Sequence, residues 1–140
     1  TWRYAQRLVS PTLHREGDTF GSQFALSDSL IAVGDYAAER DGKIVGAVHL
    51  YALDDGVWQH TQTLHMVSPR HLAGFGAWVD IDGDTLVVGE ANELMVGGWA
   101  DNRAVHVFER KQDGWQPADI IVRPANVAAA PEQRDKAQRE

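Results

Sequence analysis

The chain has 140 residues, 44% of them hydrophobic, and five tryptophans. That is the size of one ordinary domain, with too much apolar material for a disordered chain. Its net charge of −7 and pI near 5.3 argue against a nucleic-acid partner, whose phosphates require a basic surface, and against adhesion to an anionic membrane. No cysteine is present, which removes a disulfide framework, a thiolate nucleophile and a Cys-based zinc site. No apolar run approaches the ~20 residues that span a bilayer, so no membrane insertion is expected. The chain opens on Thr1-Trp2 without a charged-then-apolar leader, as expected of a segment cut from something longer.

In chain order, Trp2 to Val9 reads as a leading strand, and Pro11 to Thr19 as a polar connection with a turn at Gly17-Asp18. Phe20-Gly21 opens a hairpin that carries Phe24 and Leu26 on one face, turns at Ser27-Asp28 and returns as the apolar run Leu30 to Gly34. A charged loop, Tyr36 to Lys43, leads to a third strand at Val45 to Leu53, then Asp54-Asp55-Gly56 and a fourth strand at Trp58 to Met66. The cycle then restarts. After the connector Ser68 to Gly74, Phe75 to Glu90 is a second hairpin, with Ala77, Val79 and Ile81 alternating with polar neighbours into an Asp82-Gly83 turn signal. Ala91 to Asn102 is a longer loop, and Arg103 to Arg110 and Trp115 to Val122 are the third and fourth strands. No segment before Pro124 shows helical periodicity.

The repeat is quantitative. Phe20-Gly21 maps onto Phe75-Gly76 and Gly34 onto Gly89, at an offset of 75 − 20 = 89 − 34 = 55. Ala47-Val48-His49 maps onto Ala104-Val105-His106, and Trp58 onto Trp115, at an offset of 57. The two extra residues fall in the loop after the second strand, where insertions are tolerated because strand lengths are fixed by pairing. Four strands per unit of this length are what a propeller blade needs. The expected fold is therefore all-β, with two four-stranded antiparallel blades forming a partial propeller. The repeat region is 1–122, made of the leading strand 2–9, a first unit at 20–66 and a second at 75–122. Residues 123–140 are expected as a charged helical or disordered tail, since Glu132/Lys136 and Asp135/Arg139 have helical pairing distance but no apolar stripe.

These residues resemble the FG-GAP repeat family, the integrin-alpha type of β-propeller, in its short bacterial form. The carriers are Phe20-Gly21 and Phe75-Gly76, the runs Leu30–Gly34 and Leu86–Gly89, Gly46 to Tyr51, and the strand starts Trp58 and Trp115. The resemblance covers roughly residues 2–122. It departs at Asp35 and Glu90, which stand where the family has a small residue. It implies a location that is extracellular, periplasmic or at the cell surface. It also implies a ligand-facing rim formed by the loops after the second strand: Asp35, Tyr36, Glu39 and Arg40 in one unit, Glu90, Glu93, Met95, Trp99 and Asp101 in the other.

Other chemistry is thin. Asp80, Asp82 and Asp84 superficially resemble the start of the family's calcium loop, but calcium needs about six to eight oxygens, and the hairpin closes by Thr85. Ala25, Ser27 and Ser29 stand at the matching positions of the first unit. The acidic turn reads as a turn, with a calcium site at Asp80, Asp82 and Asp84 as the less favoured alternative, and no other cofactor is expected. His49 and His106 are equivalent positions in the two units, and their recurrence reflects the repeat. His14, His60, His65 and His71 carry no ligand spacing. No serine sits in a nucleophile elbow, and HExxH, P-loop and GxGxxG motifs are missing.

The expected function is accordingly a non-enzymatic binding or adhesion module that recognises a protein or glycan through its rim loops. The alternative is a set of structural accessory blades in a larger exported enzyme, and a metal-dependent hydrolase ranks third. Two blades cannot close a propeller of roughly four to eight, so self-assembly or membership of a larger propeller chain is expected.

Overall fold

The structure, a computed structural model, describes residues 1–12, 17–91 and 104–122. Within these the protein is all-β. The strands are β1 (Gln23–Leu26), β2 (Leu30–Asp35), β3 (Glu39–Arg40), β4 (Lys43–Ile44), β5 (Ala47–Asp54), β6 (Val57–Leu64), β7 (Phe75–Asp82), β8 (Thr85–Glu90), β9 (Ala104–Lys111) and β10 (Gly114–Val122). They form two four-stranded antiparallel sheets, β1-β2-β5-β6 and β7-β8-β9-β10, and the small hairpin β3-β4. The sheets are open and do not close into a ring. Among the described residues no helix is long and apolar enough to cross a membrane.

Turn chemistry sets the registers. Asp55-Gly56 and Asp41-Gly42 both take positive φ, 46° with 77° and 52° with 76°, as a two-residue hairpin loop demands when its twist matches the strands. The first closes β5 onto β6 and the second β3 onto β4. The Tyr36 to Lys43 segment, expected as a charged loop, thus ends in a hairpin. At Phe75 to Glu90 the hairpin closes between Asp82 and Thr85, with Gly83 at positive φ.

Antiparallel pairing assigns each residue a face, because side chains alternate along a strand. In the first sheet Ala25, Ala32 and Leu50 share one face with Val48 and Leu64, here called the back. Phe24, Val33 and His49, with Leu26, Ile31 and Tyr51, share the front. In the second sheet Val79, Val88 and His106, with Ile81, Leu86 and Phe108, form the front. The back of the first sheet meets the front of the second. There Leu30, Ala32, Val48, Leu50, Leu64, Phe75, Leu86, Val88, Phe108 and Trp115 make one continuous apolar cluster. Burial of each large side chain in it contributes about 1.5–3 kcal/mol.

Backbone contact holds the two sheets in register at one end. Gly46 forms a parallel bridge with Phe75, and a Cβ added to Gly76 would lie 2.4 Å from the Ala47 carbonyl oxygen. At the other end Gln62 spans the gap. Its Nε2–H donates to the Trp115 carbonyl at 2.9 Å, and its Oε1 accepts from the Trp115 N–H at 2.9 Å.

Trp2 to Val9 corrects the expectation of a leading strand. It belongs to no sheet and forms no ladder with a described strand. Side chains fix it instead. Gln6 donates to the Trp58 carbonyl at 2.8 Å and accepts from the Trp58 N–H at 2.9 Å, and the Tyr51 hydroxyl donates to the Val9 carbonyl at 2.6 Å. Gln6 holds Trp58 as Gln62 holds Trp115. Residues 123–140, expected as a tail, lie outside the described residues.

Candidate binding cleft and buried acid–histidine pairs

Asp35 and Glu90 end equivalent strands, β2 and β8, but neither reaches the surface. Both are buried, at 3% and 4% exposure, so they correct the expectation of ligand-facing rim residues. A carboxylate in that position needs partners, since an unpaired buried charge costs several kcal/mol. Glu90 has two: Arg70 Nη2 donates to Oε2 at 2.6 Å, and His106 Nε2 donates to Oε1 at 2.7 Å. Burial pushes its pKa up, but the hydrogen bonds from His106 and Arg70 and their charge outweigh this and hold it below the ordinary 4.5. Asp35 is one methylene shorter. Its Oδ1 accepts the Thr19 hydroxyl at 2.8 Å, while Oδ2 stays 3.7 Å from His49 Nε2, too far for a hydrogen bond.

His49 is fully buried, and among the described residues its Nε2 has no hydrogen-bond partner. Its Nδ1 lies 2.9 Å from the Thr63 hydroxyl, which also lies 2.9 Å from His60 Nε2. The rings of Phe20, His49, Tyr51 and His60 meet tilted or edge to face at centroid distances of 5.5–6.4 Å. Phe75, His106 and Phe108 repeat the theme at 5.1 and 6.1 Å. Asp35, His49, Glu90 and His106 are all buried, whereas His60, at the edge of the first ring cluster, is exposed.

Two histidines are shifted toward the neutral form. Burial lowers the pKa of His65 below 6.5, helped by the charges of Arg40 and His49 and opposed by a hydrogen bond with the Gly46 backbone. Burial likewise lowers His60, with His49 adding to it and the Gln62 backbone opposing. Each therefore takes up its proton at higher pH in the unfolded chain than in the fold, so stability falls as the pH drops below 6.5. The melting temperature is expected to decline on acidification through that window in scanning fluorimetry, and to decline less in His65→Gln.

The solvent-facing chemistry sits on the β3-β4 hairpin. Glu39 and Arg40 are exposed, and Tyr36 is half-buried at the hairpin's base. The Ile44 N–H donates to His71 Nδ1 at 3.1 Å, and the Leu72 N–H to the Ile44 carbonyl at 2.7 Å, which tie the hairpin to the connector before β7. Between them opens a cleft of about 440 Å³ lined by Arg40, Asp41, Lys43, Val45, Met66, Val67 and Pro69. Arg40 and Lys43, with the Asp41 carboxylate between them in sequence, stand over an apolar floor, which suits a polar ligand with an acidic group on an apolar or sugar-like body. Glu93, Met95, Trp99 and Asp101 lie outside the described residues, as does His14.

Asp80, Asp82 and Asp84 do not converge. Asp80 Oδ1 accepts its neighbour Ile81's N–H at 2.9 Å, and Asp84 pairs with Arg110 at 2.7 Å. Among the described residues no group of three or more metal-binding side chains gathers. Lys43, Met66 and Pro69 were not legible as lining residues, because their meeting depends on how the connector folds back. The glutamine contacts had a signal: Trp2/Trp58, Gln6/Gln62 and Leu8/Leu64 all recur at an offset of 56. Compared with family models, curated proteins and solved structures, the chain matches none of them.

Proposed function

We propose that the two sheets are successive blades of an FG-GAP-like propeller, and that the chain is a non-enzymatic binding module exported from or displayed on the cell. Its ligand contacts come from the β3-β4 hairpin and the cleft beside it. The observation that carries the blade reading is the recurrence of one side-chain contact: Gln6 on Trp58 and Gln62 on Trp115, each through both ends of the amide. Stacked units of one repeat contact their neighbours in equivalent ways. The binding reading is supported by the cleft, where Arg40 and Lys43 face solvent above Val45, Met66 and Val67, on a loop braced by a rigid sheet.

The ligand is a protein or glycan that presents an acidic group to these two cations. An array of acidic and neutral glycans and peptides tests it, probed with the wild-type chain and with the double variant Arg40→Ala/Lys43→Ala. Binding to acidic members is expected to weaken by about tenfold or more in the variant, at an unchanged melting temperature. Equal binding by both proteins, or no binder on the array, overturns the reading.

A further inference from the structure

We propose that the back of the second sheet is an interface for a second copy of this chain, which presents the front of its first sheet to it. The proposal rests on the reading of the two sheets as successive units of one repeat, and not on the ligand cleft. Its basis is an interface that the molecule already contains. The back of the first sheet, with Gly34, Val48 and Leu64, is covered by the front of the second, with Val79, Ile81 and Phe108. Each side of that interface has an equivalent elsewhere with large apolar side chains exposed among the described residues.

On the second sheet, the positions matching Gly34, Val48 and Leu64 are Gly89, Val105 and Ile121. With Trp78, Val87 and Val122 they line an open apolar hollow of about 740 Å³. Trp78 is 51% exposed there, and Val105 and Ile121 are exposed beside it. On the first sheet, the positions matching Val79 and Ile81 are Phe24 and Leu26, 69% and 65% exposed. Exposed apolar patches of this kind mark interaction sites. The two faces differ from each other, and each is the counterpart of one that is filled within the chain. The association they encode is therefore heterologous, back to front, and not a face pairing with itself.

The terminal segments fit the same scheme. Trp2–Val9 stands in front of the first sheet as β6 stands in front of the second, each holding a tryptophan through a glutamine. In β10 the equivalent of Gln62 is Asp119, whose Oδ1 accepts the neighbouring Ile120 N–H at 2.8 Å. β10 therefore lacks the residue to replace the glutamine contact that Trp2–Val9 makes on Trp58. The approaching β10 and the incoming Trp2–Val9 claim the same place. Trp2–Val9, which has no ladder, is the piece that shifts.

Light scattering on the full chain and two surface variants tests this, with melting curves to confirm folding. Phe24→Asp blocks the front and Val105→Asp the back, both at exposed positions. The wild type is expected to grow in mass beyond one chain across the micromolar range. Each variant alone should keep the mass of one chain, while an equimolar mixture should reach two chains and stop, since it retains one intact front and one intact back. A wild type that stays at one chain mass overturns the proposal. So does a variant that dimerises by itself, because that requires a face pairing with its own copy. Neither result bears on ligand binding by Arg40 and Lys43.

Discussion

Gly76→Ala is expected to destabilise the protein by about 4 kcal/mol, while Gly21→Ala, at the equivalent position of the first unit, costs about 1–2 kcal/mol. Both glycines have positive φ, 96° and 85°, so both substitutions pay for a backbone conformation that L residues avoid. Only Gly76 also lies where the sheets touch. Its added Cβ would sit 2.4 Å from the Ala47 carbonyl oxygen, whereas nothing lies within 4 Å of one added at Gly21. Backbone cannot swing aside as a side chain can, so the sheets must separate at this end and strain the cluster between them. Urea denaturation of the two variants measures the difference as a shift in midpoint at constant slope. Equal costs would mean that the sheets do not meet at Gly76 in solution.

Glu90→Gln is expected to cost about 3 kcal/mol at neutral pH, at the lower end for a broken buried ion pair because Arg70 is half-exposed and turns to water. Asp35→Asn should cost only about 1 kcal/mol, since Asp35 lacks the close histidine contact and its neutral amide oxygen still accepts from Thr19. Acid separates charge from packing. The Glu90 pKa is depressed in the fold, so its contribution is complete above the unfolded value of 4.5 and disappears as the pH falls through the folded value. The gap between wild type and Glu90→Gln should therefore narrow below pH 4.5. A gap that persists undiminished in acid would assign the cost to shape rather than charge.

What could be read without the structure was whatever local chemistry decides. Alternation in Phe75–Asp82 and the apolar runs Leu30–Gly34 and Leu86–Gly89 gave strands within a residue or two of those observed. Asp41-Gly42 carries the same turn signal as Asp55-Gly56, but the flanking Glu39, Arg40 and Lys43 are charged and the strands only two residues long, so periodicity is silent there. Trp2–Val9 has the composition of a strand. A strand also needs a neighbour, and composition does not reveal whether one is present. Asp35 and Glu90 were misplaced for a related reason: charge suggests solvent, and the burial of Glu90 depends on Arg70, 20 residues away in sequence. The cleft was legible on its hairpin side, through Arg40, and hidden on the side supplied by Met66 to Pro69.

The side chain of Gln62 offers one N–H and one C=O to one N–H and one C=O of Trp115. In hydrogen-bonding terms it imitates a single rung of a β-ladder. A real rung would bring a strand edge with it, and edges recruit any other edge they meet, which is a route to aggregation. A glutamine rung has no next rung to propagate. It fixes where β6 sits against Trp115 at a single point and adds no backbone pairing of its own there, so the sheets stack closely at that end without offering each other a strand edge.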